Sequence, residues 1–158
     1  MTYMENKEWS PDELRHKAES YCVTAERCEQ DIRLKLKQWN CDDSLAQQII
    51  THLYTSGFMD TARYCHAFVH DKIAYQGWGR VKIAYMLRAK NLPTADIQNA
   101  LSEIEEEEYM NKLRHLAEQF IRLNRKKYAA NPASLFRFLT QRGFTADEIR
   151  QQQLNTTE

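Results

Sequence analysis

Four glycines and three prolines are the only strong chain breakers in 158 residues, and no Asn-Gly or Asp-Gly hairpin turn occurs. That scarcity argues against a fold of many short strands, which needs such punctuation at each reversal. Net charge is also lacking: 22 Lys and Arg balance 22 Asp and Glu, so the molecule as a whole is no polycation. The four cysteines, Cys22, Cys28, Cys41 and Cys65, contain no Cys-x-x-Cys pair, and none follows Cys65. A disulfide framework is not expected, and unpaired thiols fit a reducing compartment. No stretch reaches the ~18 apolar residues of a membrane span, and the opening residues Met1–Trp9 lack the apolar core of a secretion signal. A cytoplasmic location without membrane contact is the resulting expectation.

What is present is polar and helical. The chain is 42% hydrophobic and 28% charged, with a mean hydropathy of −0.72. This suits thin helical layers in an elongated array better than one thick core. Charge is segregated along the chain. Acidic residues dominate Glu5–Asp31, whereas Lys72–Ala95 carries Lys72, Arg80, Lys82, Arg88 and Lys90 with no Asp or Glu. After the acidic run Glu105–Glu108 comes a second basic stretch that includes Arg122, Arg125, Lys126 and Lys127. Such segregation can steer an acidic partner or a polyanion, although a charge run is commonly a solvated helix face.

Local signals mark helix ends. Ser10-Pro11-Asp12-Glu13 and Thr145-x-x-Glu148 read as capping boxes, and Asn131-Pro132 as a cap followed by proline. Leu113, Leu116, Ala117 and Phe120 follow helical spacing, as do Ala62, Cys65, Phe68, Val69 and Ile73.

Three segments align without gaps: Ile32–Ile50, Ile83–Leu101 and Leu135–Gln153. Leu36, Leu87 and Leu139 correspond, at spacings of 51 and 52 residues. Four positions later stand Asn40, Asn91 and Gly143, the residue types that best accept the left-handed conformation closing a helix. An apolar residue follows each time (Cys41, Leu92, Phe144), then a helix starter (Asp42, Thr94 beside Pro93, Thr145). Each segment therefore reads as helix, tight turn, helix, and the period leaves room for one further helix upstream. Those leading helices fall at about Pro11–Thr24, Asp60–Tyr75 and Glu105–Lys127. Between the first two units, Gly57 ends a helix, Phe58 packs back and Asp60 caps the next.

The expected fold is all-α: three tandem three-helix repeats, about nine helices, over residues 10–57, 58–104 and 105–153. Residues 1–9 and 154–158 are expected to fray.

Catalytic and metal constellations are weak. His66-x-x-x-His70 has metal-ligand spacing but lacks the glutamate of His-Glu-x-x-His and a second ligand cluster. Cys65 and His66 diverge by ~100° around a helix, so they do not form a nucleophile pair. Gly77-x-Gly79 lacks the third glycine and preceding strand of a phosphate loop; a bend between helices is its expected role. His16, His52 and His115 stand alone in sequence. No cofactor, metal or small-molecule substrate is expected.

Several stretches resemble the RecX regulatory protein family. They are Arg27-Cys28-Glu29-Gln30-Asp31-Ile32, where the family has Arg-Ser-x-x-Glu-Leu; Gly57-Phe58-Met59-Asp60-x-x-Arg63-Tyr64 with Ala67-Phe68-Val69; Gly77-Trp78-Gly79-Arg80 leading into Leu87-Arg88-Ala89-Lys90-Asn91-Leu92; and Phe138-Leu139-x-x-Arg142-Gly143-Phe144. The likeness spans about positions 15 to 150. Departures are Cys28 for a usual Ser, Thr61 for the second Asp of an Asp-Asp pair, and Asn91 for a usual Gly. The resemblance implies a curved array without catalytic residues that binds the RecA recombinase filament and restrains strand exchange and coprotease activity, within DNA recombination, repair and the SOS response.

Tyr75, Trp78 and Tyr85 interleave with the cations of the Lys72–Lys90 stretch, which makes it the leading candidate contact surface. Arg122, Arg125, Lys126 and Lys127 form the second candidate, where cations also suit the dipole at a helix C-terminus. The alternative is a helix-turn-helix-like module that binds DNA or RNA directly, and a purely structural scaffold is a third reading. Against an operator reader, the turn motif recurs three times, and the second helices of the first and third repeats are poor in cations.

Overall fold

The computed structural model describes residues 7–154, so the fraying expected of residues 1–6 and 155–158 lies outside the described residues. Among the described residues there are ten helices and no strand. They are α1 (Pro11–Thr24), α2 (Glu29–Gln38), α3 (Asp43–Thr55), α4 (Thr61–Ala74), α5 (Arg80–Ala89), α6 (Thr94–Ser102), α7 (Glu106–Leu123), α8 (Arg125–Ala130), α9 (Ala133–Gln141) and α10 (Ala146–Leu154). Two compact units result, one running to Tyr64 and the other from Cys65 onward.

In the first unit, α1, α2 and α3 pack on one another around Leu14, Ala18, Ile32, Leu36, Ile50 and Leu53. Trp9 packs against this core, with the ammonium groups of Lys7 and Lys17 4.0 and 3.9 Å from its ring centroid. In the second unit, Ile83 and Leu87 on α5 and Ile97 and Ala100 on α6 are buried, and the two helices pack together. A further core joins Tyr109, Leu113, Ala117, Leu135, Leu139 and Ile149 from α7, α9 and α10.

The aligned turns share one hydrogen-bond pattern. The amides of Cys41, Leu92 and Phe144 donate to the carbonyls of Leu36, Leu87 and Leu139 at 2.9, 3.3 and 3.2 Å. Those of Asn40, Asn91 and Gly143 donate to Lys37, Arg88 and Thr140 at 3.0, 2.9 and 3.0 Å. This double closure is the Schellman motif, and it needs a left-handed residue at its centre. Asn40, Asn91 and Gly143 supply it with φ of 59, 60 and 100°. The three leucines are at most 1% exposed, and burying each stabilises the unit by roughly 1.5–3 kcal/mol.

Starts are more varied than the turns. Ser10 and Thr145 form reciprocal capping boxes with Glu13 and Glu148. Asp42 accepts from the Leu45 amide at 2.8 Å and Asp60 from Arg63 at 2.9 Å. Asp31 accepts from the Cys28 amide at 3.1 Å, so a carboxylate reaching back offsets the poor cap at Cys28. Two expected caps are not used as side-chain caps. Pro93 precedes α6 with no side-chain cap bond, and Pro132 rather than Asn131 stands before α9.

The long leading helix expected over Glu105–Lys127 breaks in two. Asn124 leaves the helical region (φ −130°, ψ 41°), and its side-chain amide donates to the Phe120 carbonyl at 2.9 Å. That local bond competes with helix continuation, which is why the helices number ten.

Candidate functional site

The first candidate stretch divides into a locked interior and an open face. A helix start leaves four amides without partners inside the helix, and at α5 three of them are satisfied from elsewhere in the chain. Gly79 N donates to the Arg142 carbonyl at 2.8 Å, Val81 N to the Gly143 carbonyl at 3.1 Å, and Arg80 N to the Tyr109 hydroxyl at 3.0 Å. The turn between α9 and α10 therefore caps α5. This contact needs glycine twice. A Cβ on Gly79 would overlap the Gly143 carbonyl and lie 2.6 Å from Phe144 N, and one on Gly143 would lie 2.5 Å from the Lys82 Cβ.

Arg80 is central to this junction. Its guanidinium reaches the Glu148 carboxylate at 2.8 Å, pairs with Glu106, and lies 4.0 Å from the Tyr109 ring centroid. Glu148 is buried and serves α10 as well, accepting from the Thr145 amide at 2.8 Å. Burial, with the Glu148 carboxylate adding to it, raises the Tyr109 phenol above its usual range, so the ring stays neutral. The structure thus engages Arg80 with two carboxylates, whereas Arg88 is exposed and Lys72 and Lys82 rest half-buried over an aromatic ring.

Neighbouring carbonyls at the end of α4 are also capped by cations. Lys112 Nζ donates to the Ala74 carbonyl at 3.0 Å and Arg142 to the Gln76 carbonyl at 2.8 Å. Gly77 turns the chain there with φ 64°. A Cβ at Gly77 would press on Leu116 at 3.0 Å, so this glycine, like Gly79, permits a close bend.

The open face holds the rest. Lys72 and Lys82 both lie over the Trp78 ring, at 4.8 and 4.4 Å from its centroid, and Phe68 meets that ring edge-on. Arg88 is exposed and Lys90 caps the end of α5. Tyr75, Val81 and Tyr85 are 77, 55 and 68% exposed.

At the second candidate, Arg122, Arg125, Lys126 and Lys127 are all exposed. Arg122 lies in the last turn of α7, where it complements the dipole. Arg125 and Lys126 instead open α8, so the expected dipole explanation does not extend to them. Lys127 already belongs to the last turn of this short helix and lies 6.0 Å from the Phe120 ring centroid, which leaves Arg125 and Lys126 at its positive end.

The histidines are not alone in space. His66 Nδ1 lies 3.2 Å from Glu103, and His70 Nδ1 lies 3.3 Å from Asp71. In the first unit, His52 stands between Ser56 Oγ (3.3 Å) and Glu19 Oε1 (3.7 Å), a serine-histidine-carboxylate sequence of contacts that sequence spacing conceals. It lacks oxyanion donors. Ser56 caps the carbonyl end of α3, and the Ser56 and Gly57 amides are spent on His52 and Tyr54. Among the described residues, no group of three His, Cys, Asp or Glu could hold a metal ion, and no helix is long and apolar enough to cross a membrane.

The junction roles of Tyr109, Glu106, Glu148 and Arg142 escaped the sequence reading, because each acts across tens of residues. Glu148 was visible only as a cap, Glu106 only as part of an acidic run and Arg142 only within a family-like stretch.

Leucine-closed helical turns and a glycine-packed junction define a helical repeat protein. The family model described as the RecX second three-helix domain matches residues 60–101, the span of α4 to α6. The "Regulatory protein RecX" of Pseudomonas putida is 27% identical over 140 residues, covering 89% of this chain and 88% of that protein. In structure, the chain is similar to a crystal structure of regulatory protein RecX (TM-score 0.77, 24% identity, 90% of this chain and 74% of that one). RecX from Lactobacillus salivarius has the same fold (TM-score 0.75, 18% identity, 92% and 95% covered). By sequence and by fold the chain is similar to the RecX family over nearly its whole length.

Proposed function

We propose that this protein is a non-catalytic cytoplasmic regulator that binds the RecA recombinase filament and restrains its ATP hydrolysis, strand exchange and coprotease activity. The observation that supports the reading is similarity across nearly the whole chain to relatives named as regulatory proteins. On this reading the chain works as three tandem three-helix repeats over residues 10–57, 58–104 and 105–153. Lys72, Lys82, Arg88 and Lys90 then meet the filament, while Arg80 holds the junction that presents them.

A weak direct contact with DNA is part of the same proposal. Arg122, Arg125, Lys126 and Lys127 are exposed, and Arg125 and Lys126 sit at the positive end of α8, which suits phosphate neutralisation better than local stability. Titrating the protein into cognate RecA on single-stranded DNA tests the reading. A dose-dependent fall in ATP hydrolysis and strand exchange is expected. Unchanged RecA activity, with tight salt-sensitive binding to naked DNA, would favour the nucleic-acid module instead.

A further inference from the structure

We propose that the outward face of α5, formed by Val81, Tyr85 and Arg88, is the docking site for an acidic protein segment that carries an aliphatic or aromatic side chain. The inference deepens the reading above by naming the chemistry of the partner surface.

Val81 and Tyr85 are four residues apart and Arg88 three further on, so they share one face of the helix. A valine 55% exposed and a tyrosine 68% exposed, one turn apart, leave an apolar stripe on a helix whose other side is core. The stripe is held rigidly. The amides of Gly79, Arg80 and Val81 are bonded to groups outside the helix, and Gly79 and Gly143 pack backbone to backbone. A partner therefore meets a preformed surface and loses little conformational entropy from it on docking.

The sign of the occupant follows from the surrounding charge. Among the described residues, no carboxylate pairs with Lys72, Lys82 or Arg88, whereas Glu106 and Glu148 are both taken by Arg80. The charge left uncompensated beside the stripe is positive, so an acidic segment complements it.

A protein fits this face better than a nucleic-acid strand. Strand binding uses open aromatic planes for base stacking and a track of free cations. Here Tyr85 is the one open ring of the stripe, the Trp78 ring is covered by two ammonium groups, and Arg80 is spent on carboxylates, so the stripe has no continuous run of open rings. The Val81 methyls offer nothing to a phosphate, but beside a tyrosine and an arginine they form the small anchor cluster on which protein interfaces rest.

The test follows backbone amide resonances of the isotopically labelled full chain during titration with a synthetic peptide of Asp and Glu around one Leu, and separately with oligo(dT). The V81S/Y85A double variant, checked by circular dichroism, is treated identically, and both proteins are sedimented with RecA filaments. The expected result is peptide-induced shifts at Val81–Arg88 and at least tenfold weaker peptide and filament binding by the variant. Absence of α5 shifts with the peptide, larger shifts of the same amides with oligo(dT), or filament binding by the parent that the variant matches would each overturn the inference. Peptide shifts on α5 from a chain that ignores RecA filaments would support the docking face and reject RecA as its partner.

Discussion

Gly79 and Gly143 touch through their backbones: the first donates its amide to the carbonyl just before the second, and neither position has room for a methyl group. The start of α5 is therefore fixed by the turn that separates α9 from α10, and the cations of α5 inherit their placement from that contact. Substitution separates this packing role from simple backbone preference. Gly57 has φ 78° with open space around it, so G57A should cost about 1–2 kcal/mol, the left-handed penalty alone. G79A and G143A meet backbone or Cβ atoms, and overpacking should raise their cost by about 1–3 kcal/mol further than a methyl in open space. Urea unfolding of the three variants measures the order; a G79A protein as stable as the parent would refute the close contact.

Arg80 and Glu148 should behave as a coupled pair. Removing either leaves a half-buried charge, and R80A or E148A should destabilise by roughly 2–3 kcal/mol. In a double-mutant cycle the pair should show a coupling energy on the order of 1–3 kcal/mol. Additive losses would mean that Glu148 contributes only its cap to Thr145.

Cys22 gives a chemical readout of the first core. Burial is the main cause that raises its thiol from 9.0 to about 11. At pH 8 this lowers the thiolate population about a hundredfold, so alkylation by iodoacetamide should be correspondingly slow until denaturant is added. The sign for stability follows. A raised thiol contributes fully below pH 9 and loses its contribution as pH climbs from 9 towards about 11. Unfolding midpoints should fall across that window, and C22A should flatten the fall.

The repeat was legible because its signals are local. Leucine, left-handed residue and apolar lock lie within six positions, and all three turns close through the leucine carbonyl. The break at Asn124 was not legible, since asparagine is tolerated inside many helices and only its bond to Phe120 reveals the choice made here. Of the candidate site, the positive stretch was visible as composition. Its division into an Arg80 anchored by carboxylates and a Lys82 and Arg88 without ion pairs among the described residues was not, because Glu106 and Glu148 reach Arg80 from 26 and 68 residues away.

That division changes which charge reversals are informative. K82E/R88E should weaken RecA filament binding with little loss of stability, because neither residue makes an ion pair among the described residues. R80E should unfold the α5 junction and lose binding for that reason. K126E/K127E should lower the salt dependence of any DNA binding, by roughly one unit of log-log slope for each phosphate no longer neutralised. Equal stability of R80E and K82E/R88E in thermal melts would contradict this assignment.

Regulation of RecA through protein contact is tested most directly by measuring the affinity of the full chain for RecA filaments and for naked single-stranded DNA in parallel, at the same series of salt concentrations. The account predicts filament binding that persists at physiological salt, with DNA binding weak and steeply salt-dependent. Equal affinity for filament and naked DNA, falling together with salt, would contradict it.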